Sequence, residues 1–301
     1  MRIKTIFFLA LLSFSLLSAQ KITVKTQNEI VLNAAAYYPT LNNDGSKLLF
    51  SSESYNGLFL YDFNTGKTTE ISKAINAGYY PVFSADDTKI FYKNTNLDNR
   101  LRYDALESYD VMTGKQQQML APQRNLRQAQ SYHNGILVLT GKNLVKSTFG
   151  KSSKTISVYV SSEDLSIYIY NNGVKKQIKP LSGSNNYIWV SLSPDNKKIL
   201  FTATGKGTYI CDLSGKVISS LGYLNAPVWY NNEYIAGMQD KDNGEYVISS
   251  SVVMTSTDGK IRQQISNPKH IAMYPTCSSK SGRIIYNTLE GKLYISEIEI
   301  K

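Results

Sequence analysis

Two histidines, His133 and His270, are all the imidazole in the 301-residue chain. That scarcity closes off most side-chain catalysis. A Ser-His-Asp hydrolase would have to use one of them, and no Gly-x-Ser-x-Gly elbow is present. Cysteine is equally rare, with Cys211 and Cys277 only. Two separated thiols and two separated imidazoles have no spacing that would hold zinc. Charged residues make up 19% of the chain, too few for a disordered polyelectrolyte. No helical period runs through the sequence beyond residue 20. From sequence, no catalytic residue, metal ligand or cofactor is assigned, and the chain is not expected to be an enzyme.

Three short patterns resemble motifs and fail on their spacing. Gly150-Lys151-Ser152 ends like a phosphate-binding loop but has Val145 where the leading glycine belongs. Gly205-Lys206-Gly207 lacks the third glycine of a dinucleotide turn. Asp240-Lys241-Asp242-Asn243-Gly244 opens like a calcium loop, yet Ser251 stands where the distal Glu is required. Tight turns account for all three, with weak calcium binding at Asp240 and Asp242 left as an open alternative.

Apolar length is concentrated at the N-terminus. Arg2 and Lys4 precede the run Ile6 to Leu17, and Ser18-Ala19-Gln20 supplies small residues for cleavage. This is the layout of a secretory signal peptide over residues 1–20, leaving one domain over 21–301. The run is shorter than the ~20 residues of a membrane span, and no other stretch could form one. Loss of Arg2 and Lys4 takes the net charge from +10 to +8. A periplasmic or secreted protein is expected, without nucleic acid as a partner.

What the chain does have is a phrase that recurs. Tyr38-Pro39-Thr40-Leu41-Asn42-Asn43-Asp44-Gly45-Ser46-Lys47 returns as Tyr80-Pro81-Val82-Phe83-Ser84-Ala85-Asp86-Asp87-Thr88-Lys89. It returns again as Trp189-Val190-Ser191-Leu192-Ser193-Pro194-Asp195-Asn196-Lys197-Lys198. Each copy is a strand, a polar turn and a second strand. Phase marks fall at Pro39, Pro81, Ala129, Val190, Pro227 and Pro275, which makes six units. Turns such as Asp62-Phe63-Asn64-Thr65-Gly66-Lys67 and Asp212-Leu213-Ser214-Gly215-Lys216 then lead into further strands. Four strands in about 40–50 residues match one blade of a propeller. The last unit has room for three strands, while residues ~22–32 align with a fourth strand. The expectation is an all-β, six-bladed propeller of four-stranded antiparallel blades, closed by the N-terminal strand completing the last blade. The two cysteines then fall in separate blades and are expected as buried free thiols.

Around Asp44-Gly45-Ser46-Lys47 and Ser193-Pro194-Asp195-Asn196-Lys197 the phrase resembles the WD40-like (PD40) repeats of the TolB propeller family. The resemblance covers most of the chain after the leader and is strongest in units one, two and four. It implies a propeller fold and, by the family's habit, a protein partner in the bacterial envelope such as a lipoprotein. Between the leader and the first repeat there is room for one strand and no preceding domain, a departure from TolB.

Two features stand apart from the repeat. The residue before the phase mark is aromatic in four units: Tyr38, Tyr80, Trp189 and Tyr274. The innermost strand starts there, so these rings are expected at one mouth of the central channel, as a binding funnel or as wedges between blades. The third unit is long, 61 residues between marks, and carries Lys142, Lys146, Lys151 and Lys154 without an acid from Gly141 to Ser162. It is the candidate basic docking loop. The reading is an exported, monomeric, non-enzymatic binding module for an envelope protein. A glycan- or peptide-binding propeller, or a propeller-type lyase or hydrolase, is the alternative.

Overall fold

The computed structural model describes residues 21–301 apart from 125, 133–134, 141–142, 149–155, 162–163, 172–173 and 184–185. The six repeat units close into a β-propeller of antiparallel blades. Unit one is Tyr37–Leu41, Lys47–Ser51, Leu58–Asp62 and Lys67–Ser72. Unit two is Val82–Phe83, Lys89–Asp98, Leu101–Asp110 and Gln116–Gln123. Units four and five, starting at Tyr187–Leu192 and Asn225–Trp229, have four strands each. The sixth is Ala272–Ser278, Arg283–Thr288 and Leu293–Ile300, completed by Ile22–Ile30 from the other end of the chain. That closing strand pairs from Ile22↔Ile300 to Ile30↔Leu293. Backbone bonds between Lys21 and Lys301 extend the seam.

The long third unit departs from the four-stranded plan. Its chain forms two three-stranded sheets, Leu126–Tyr132 with Gly135–Thr140 and Asn143–Thr148, then Ile156–Val160 with Ile167–Asn171 and Val174–Ile178. The molecule is a six-bladed propeller whose described residues fall into seven sheets, because the third unit contributes two. The reason is length: 61 residues exceed what four short strands use and suffice for six.

The turn chemistry explains the recurring phrase. In unit two Ser84 Oγ donates to Asp86 at 2.6 Å and receives Lys89 N–H at 2.9 Å; in unit four Ser193, Asp195 and Lys198 repeat both distances. Asn42 and Asp44 do the same job in unit one by accepting Lys47 N–H and Ser46 N–H. The turns also reach sideways. Asp87 accepts from Asn43 backbone and side chain, Ser278 Oγ donates to Asn43 O, and Asp195 N–H donates to Asn232 Oδ1. Polar groups that a turn would leave unpaired are thus spent on stitching neighbouring blades.

Apolar clusters fill the spaces between blades. Leu49 and Leu58 meet Ile90 and Tyr92. Phe91 and Leu106 meet Leu126 and Ile136, and Ile285 and Leu293 meet Leu48 and Phe50. Between the two halves of the third unit the described link is polar: Gln130 Nε2 donates to Val158 O at 2.7 Å, and Ser157 Oγ donates to Gln130 Oε1. Both cysteines are free, with Cys211 buried in the unit-four core and Cys277 only half-buried. The expectation of two buried free thiols is met at Cys211, while Cys277 is free but keeps part of its residue surface exposed. Burial pushes the Cys211 thiol up to about 12 and raises Cys277 as well, so neither is a thiolate at neutral pH.

Candidate functional site

The residue before five of the six phase marks has a specific backbone. Tyr38, Tyr80, Trp189, Ala226 and Tyr274 have φ of 54°, 53°, 50°, 43° and 52°. In units one, four, five and six the same place carries one extra residue relative to the neighbouring strand, as between Tyr37↔Ser51 and Thr40↔Leu49. This is a β-bulge with a left-handed residue, which turns a side chain out of the blade. Non-glycine residues at such φ are strained by roughly 1 kcal/mol. An aromatic that repays this by contact with its fellows is what the sequence supplies.

Tyr38, Tyr80, Trp189 and Tyr274 all line one central cavity of about 1070 Å³. The Tyr38 ring stacks on Tyr55 with centroids 3.8 Å apart and tilts against Tyr274 at 4.8 Å. Tyr55 meets Tyr79 edge-on at 5.0 Å, and Tyr79 meets Tyr80 at 4.7 Å. Offset and edge contacts of this kind favour a fixed aromatic wall over independent rings. Burial among the rings raises the phenols of Tyr55, Tyr80 and Tyr274, so they stay neutral donors. Tyr80 nevertheless keeps 41% of its surface exposed, and Tyr38, Trp189 and Tyr274 are half-buried. These four are cavity lining and not sealed blade core.

The cavity has a second wall of opposite character. Lys93, Arg102, Asp104, Arg124 and Arg127 line it from the second unit and the start of the third. Asp104 is almost fully buried and satisfied. It accepts Thr95 Oγ1 at 2.6 Å and the Arg102 fork at 2.9 and 3.0 Å. Ser191 Oγ in unit four and Trp229 Nε1 in unit five are buried without a hydrogen-bond partner among the described residues, and both residues line the cavity.

The rim is apolar. The unit-two hairpin turns at Asn99-Arg100, both with positive φ (48° and 64°), the left-handed pair that a two-residue hairpin demands. Its ten-residue strands are twice as long as those of unit one, and they lift Leu97 and Leu101 into solvent. Ile75 is bridged to this hairpin at Thr95. The unit-five hairpin does likewise with Tyr246 and Ile248. Antiparallel up-and-down order puts these second-to-third-strand turns at the end where the innermost strands begin, which is the end of the aromatic wall.

The other sequence candidates have different fates. Lys142, Lys151, Lys154 and His133 lie outside the described residues. Lys146 falls on the strand Asn143–Thr148. Asp240 accepts from Tyr223 and Asn225, and Asp242 caps the Gly244 N–H. Among the described residues no group of three His, Cys, Asp or Glu is placed to hold a metal. His270 packs its ring on Tyr294 at 4.3 Å, away from the cavity lining. The sequence reading missed Tyr55, which no repeat predicts because it sits in a short 3-10 turn. It also missed Lys93, Arg102, Arg124 and Arg127. The one available signal was a lysine inside the apolar run Ile90-Phe91-Tyr92-Lys93 of an over-long hairpin.

Neither a protein-family model nor a curated protein matches the chain. Solved structures do. TolB from Acinetobacter baumannii superposes with a TM-score of 0.56 at 17% identity, over 82% of this chain and 58% of that one. The WD40 propeller domain of Doa1 gives 0.61 at 12% identity, over 92% and 97%. The propeller domain of the trilobed protease from Pyrococcus furiosus gives 0.59 at 13%, over 89% and 97%. This chain thus spans little more than half of the TolB chain, and at these identities the likeness establishes the β-propeller fold.

Proposed function

We propose that this propeller is an exported, non-enzymatic binding module whose central cavity receives a segment of a protein of the bacterial envelope. The observation that carries the reading is the aromatic wall of Tyr38, Tyr55, Tyr79, Tyr80, Trp189 and Tyr274, drawn from four units onto one cavity. It opens beneath a rim of exposed apolar side chains. Aromatic clusters framed by apolar, partly exposed residues are the usual anchors of protein recognition. The leader-like residues 1–20 support export, and the TolB likeness supports an envelope setting with a lipoprotein among the partners to be tried. Free aromatic faces would equally stack on a sugar ring, which keeps a glycan as the second reading.

The test is capture. The mature chain immobilised on a support should retain a defined envelope protein, and Tyr80→Ala and Trp189→Ala should each lower retention at least tenfold while keeping the wild-type circular dichroism spectrum. Hot-spot aromatics are worth about 2 kcal/mol or more on truncation. Equal retention by folded variants would reject the cavity as the site. Release of the retained protein by free oligosaccharide would move the assignment to the glycan reading.

A further inference from the structure

Lys93 is the least expected residue of the cavity. It sits in the middle of the strand Lys89–Asp98, with 6% of its surface exposed, yet it lines the cavity. Its ammonium donates no hydrogen bond to any described residue. Its close contact is the face of Tyr79, 5.2 Å from nitrogen to ring centroid. The adjacent carboxylate, Asp104, has both oxygens taken by the Arg102 fork and Thr95. Arg124 and Arg127 stand on the same wall with no ion pair among the described residues. Four cations therefore face one already satisfied carboxylate. The Lys93 side chain is largely buried, and an ammonium with no hydrogen-bond acceptor among the described residues is a group that an anion in the cavity would complete.

We infer that this wall is an anion subsite that takes the carboxylate of an aromatic or apolar ligand, with Lys93 and Arg127 as its direct partners and Tyr79 as its floor. With Asp104 already engaged by Arg102 and Thr95, the wall keeps an excess of positive charge that attracts an anion. A planar carboxylate also matches the flat guanidinium of an arginine, which can grip both oxygens. The Tyr79–Tyr80 pair beside it, in edge contact at 4.7 Å, offers a surface for the ligand's own ring. The groups facing Lys93 from all sides are Asp104 and Arg102 on its hairpin partner, Arg127 on the third unit, and Tyr79 before the inner strand. None of them competes for the ligand oxygens as an acceptor with free lone pairs directed at Lys93. The burial that strips water from the ammonium lowers its proton affinity to about 8. Carboxylate binding should reverse this and take up a proton from buffers near pH 8–9.

The subsite is tested without any protein partner, so its failure and the failure of the docking reading are separate results. Isothermal titration of the mature chain with 3-(4-hydroxyphenyl)propionate and with its neutral amide compares carboxylate and no carboxylate on one skeleton. The acid should bind about ten- to a hundredfold tighter than the amide, the value of one or two charge-assisted hydrogen bonds. Lys93→Met should erase that difference while unfolding no earlier than wild type, and Arg127→Gln, at an exposed position, should weaken the acid several-fold. Equal binding of acid and amide overturns the inference. So does Lys93→Met binding the acid as wild type does, or no binding of the acid at about 10 mM, beyond the weakest affinity worth assigning. Displacement of the acid from wild type by an equal concentration of inorganic phosphate would overturn the assignment to carboxylates.

Discussion

At the scale of the residue, the two walls of the cavity are built on opposite bargains. The aromatics sit at strained φ and recover the cost by contact. Lys93 sits in a comfortable strand and bears an electrostatic cost instead. Its folded proton affinity, about 8, lies below its ordinary 10.5 because burial outweighs the attraction of Asp104. Between those values the unfolded chain binds more protons than the folded one, so this residue's contribution makes stability rise with pH from about 8 to 10.5. Below pH 8 the lysine is charged in both states and the full penalty applies. Lys93→Met should therefore be more stable than wild type at pH 7 by roughly 3 kcal/mol, the 2.5-unit difference at 1.36 kcal/mol per unit. The gap should close as pH approaches 10.5. Urea unfolding of both proteins at pH 7, 9 and 10.5 reads this directly; a gap that is flat across the series, or absent at pH 7, contradicts it. Taking the difference between the proteins cancels the tyrosines, whose raised phenols begin to titrate at the upper end.

At the scale of the element, the aromatic wall depends on the link from the first blade to the second. Gly78 precedes Tyr79 and Tyr80, and a Cβ placed there would lie 2.2 Å from Ser51 Cβ and 3.0 Å from the carbonyl of Gly57. Its N–H donates to Tyr55 O at 3.0 Å, and Gly57 N–H donates to Ala74 O. The connection is therefore clamped to the loop that carries Tyr55, and both halves of the wall move together. Gly78→Ala should destabilise the protein by about 1–3 kcal/mol through overpacking. It should also weaken ligand capture beyond what the lost stability explains, because Tyr55, Tyr79 and Tyr80 are displaced as a set. Chemical unfolding and the capture assay together check this; normal stability with normal capture would show that the backbone yields there without consequence. The bulges explain why these connections recur. One extra residue in the innermost strand both ends the pairing ladder and aims a side chain inward, so the phrase marks the place where the blade stops being structure and becomes lining.

At the scale of the whole molecule, closure is the decisive contact. The strand Ile22–Ile30 buries Ile22 and Ile30 and covers the edge of Leu293–Ile300. Removing residues 21–30 should cost at least about 3 kcal/mol, from two isoleucines at about 1.5–3 kcal/mol each. It should also leave an unpaired strand edge that promotes association. Thermal unfolding and size-exclusion chromatography would show the loss, and a truncated chain that melts and elutes as the intact one does would contradict the seam. The third unit tests the same logic from the other side. Among the described residues its two short sheets meet through Gln130 and Ser157.

Much of this architecture was written in local chemistry. The Ser-x-Asp and Asn-x-Asp turns, the Asp-Gly and Asn-Gly pairs and the alternating strands specify a blade over some forty residues, because hydrogen bonds within a turn and side-chain alternation need only neighbours in the chain. The spare N-terminal strand and the aromatic before four of the six phase marks were legible for the same reason. The division of the third unit into two sheets was not, because no second phase mark signals it and only the space between units two and four decides how the extra length is folded. Nor was the cationic wall legible. Lys93, Arg102, Arg124 and Arg127 are scattered over a hairpin and the start of the next unit, and all but Lys93, which ends an apolar run, read as solvated surface charges. Sequence determined that the molecule is a ring of repeats with aromatics at its inner edge. Tertiary structure alone decided which charges face the same cavity, because that depends on how far one hairpin overreaches its neighbours and on where burial strips the water from a single lysine.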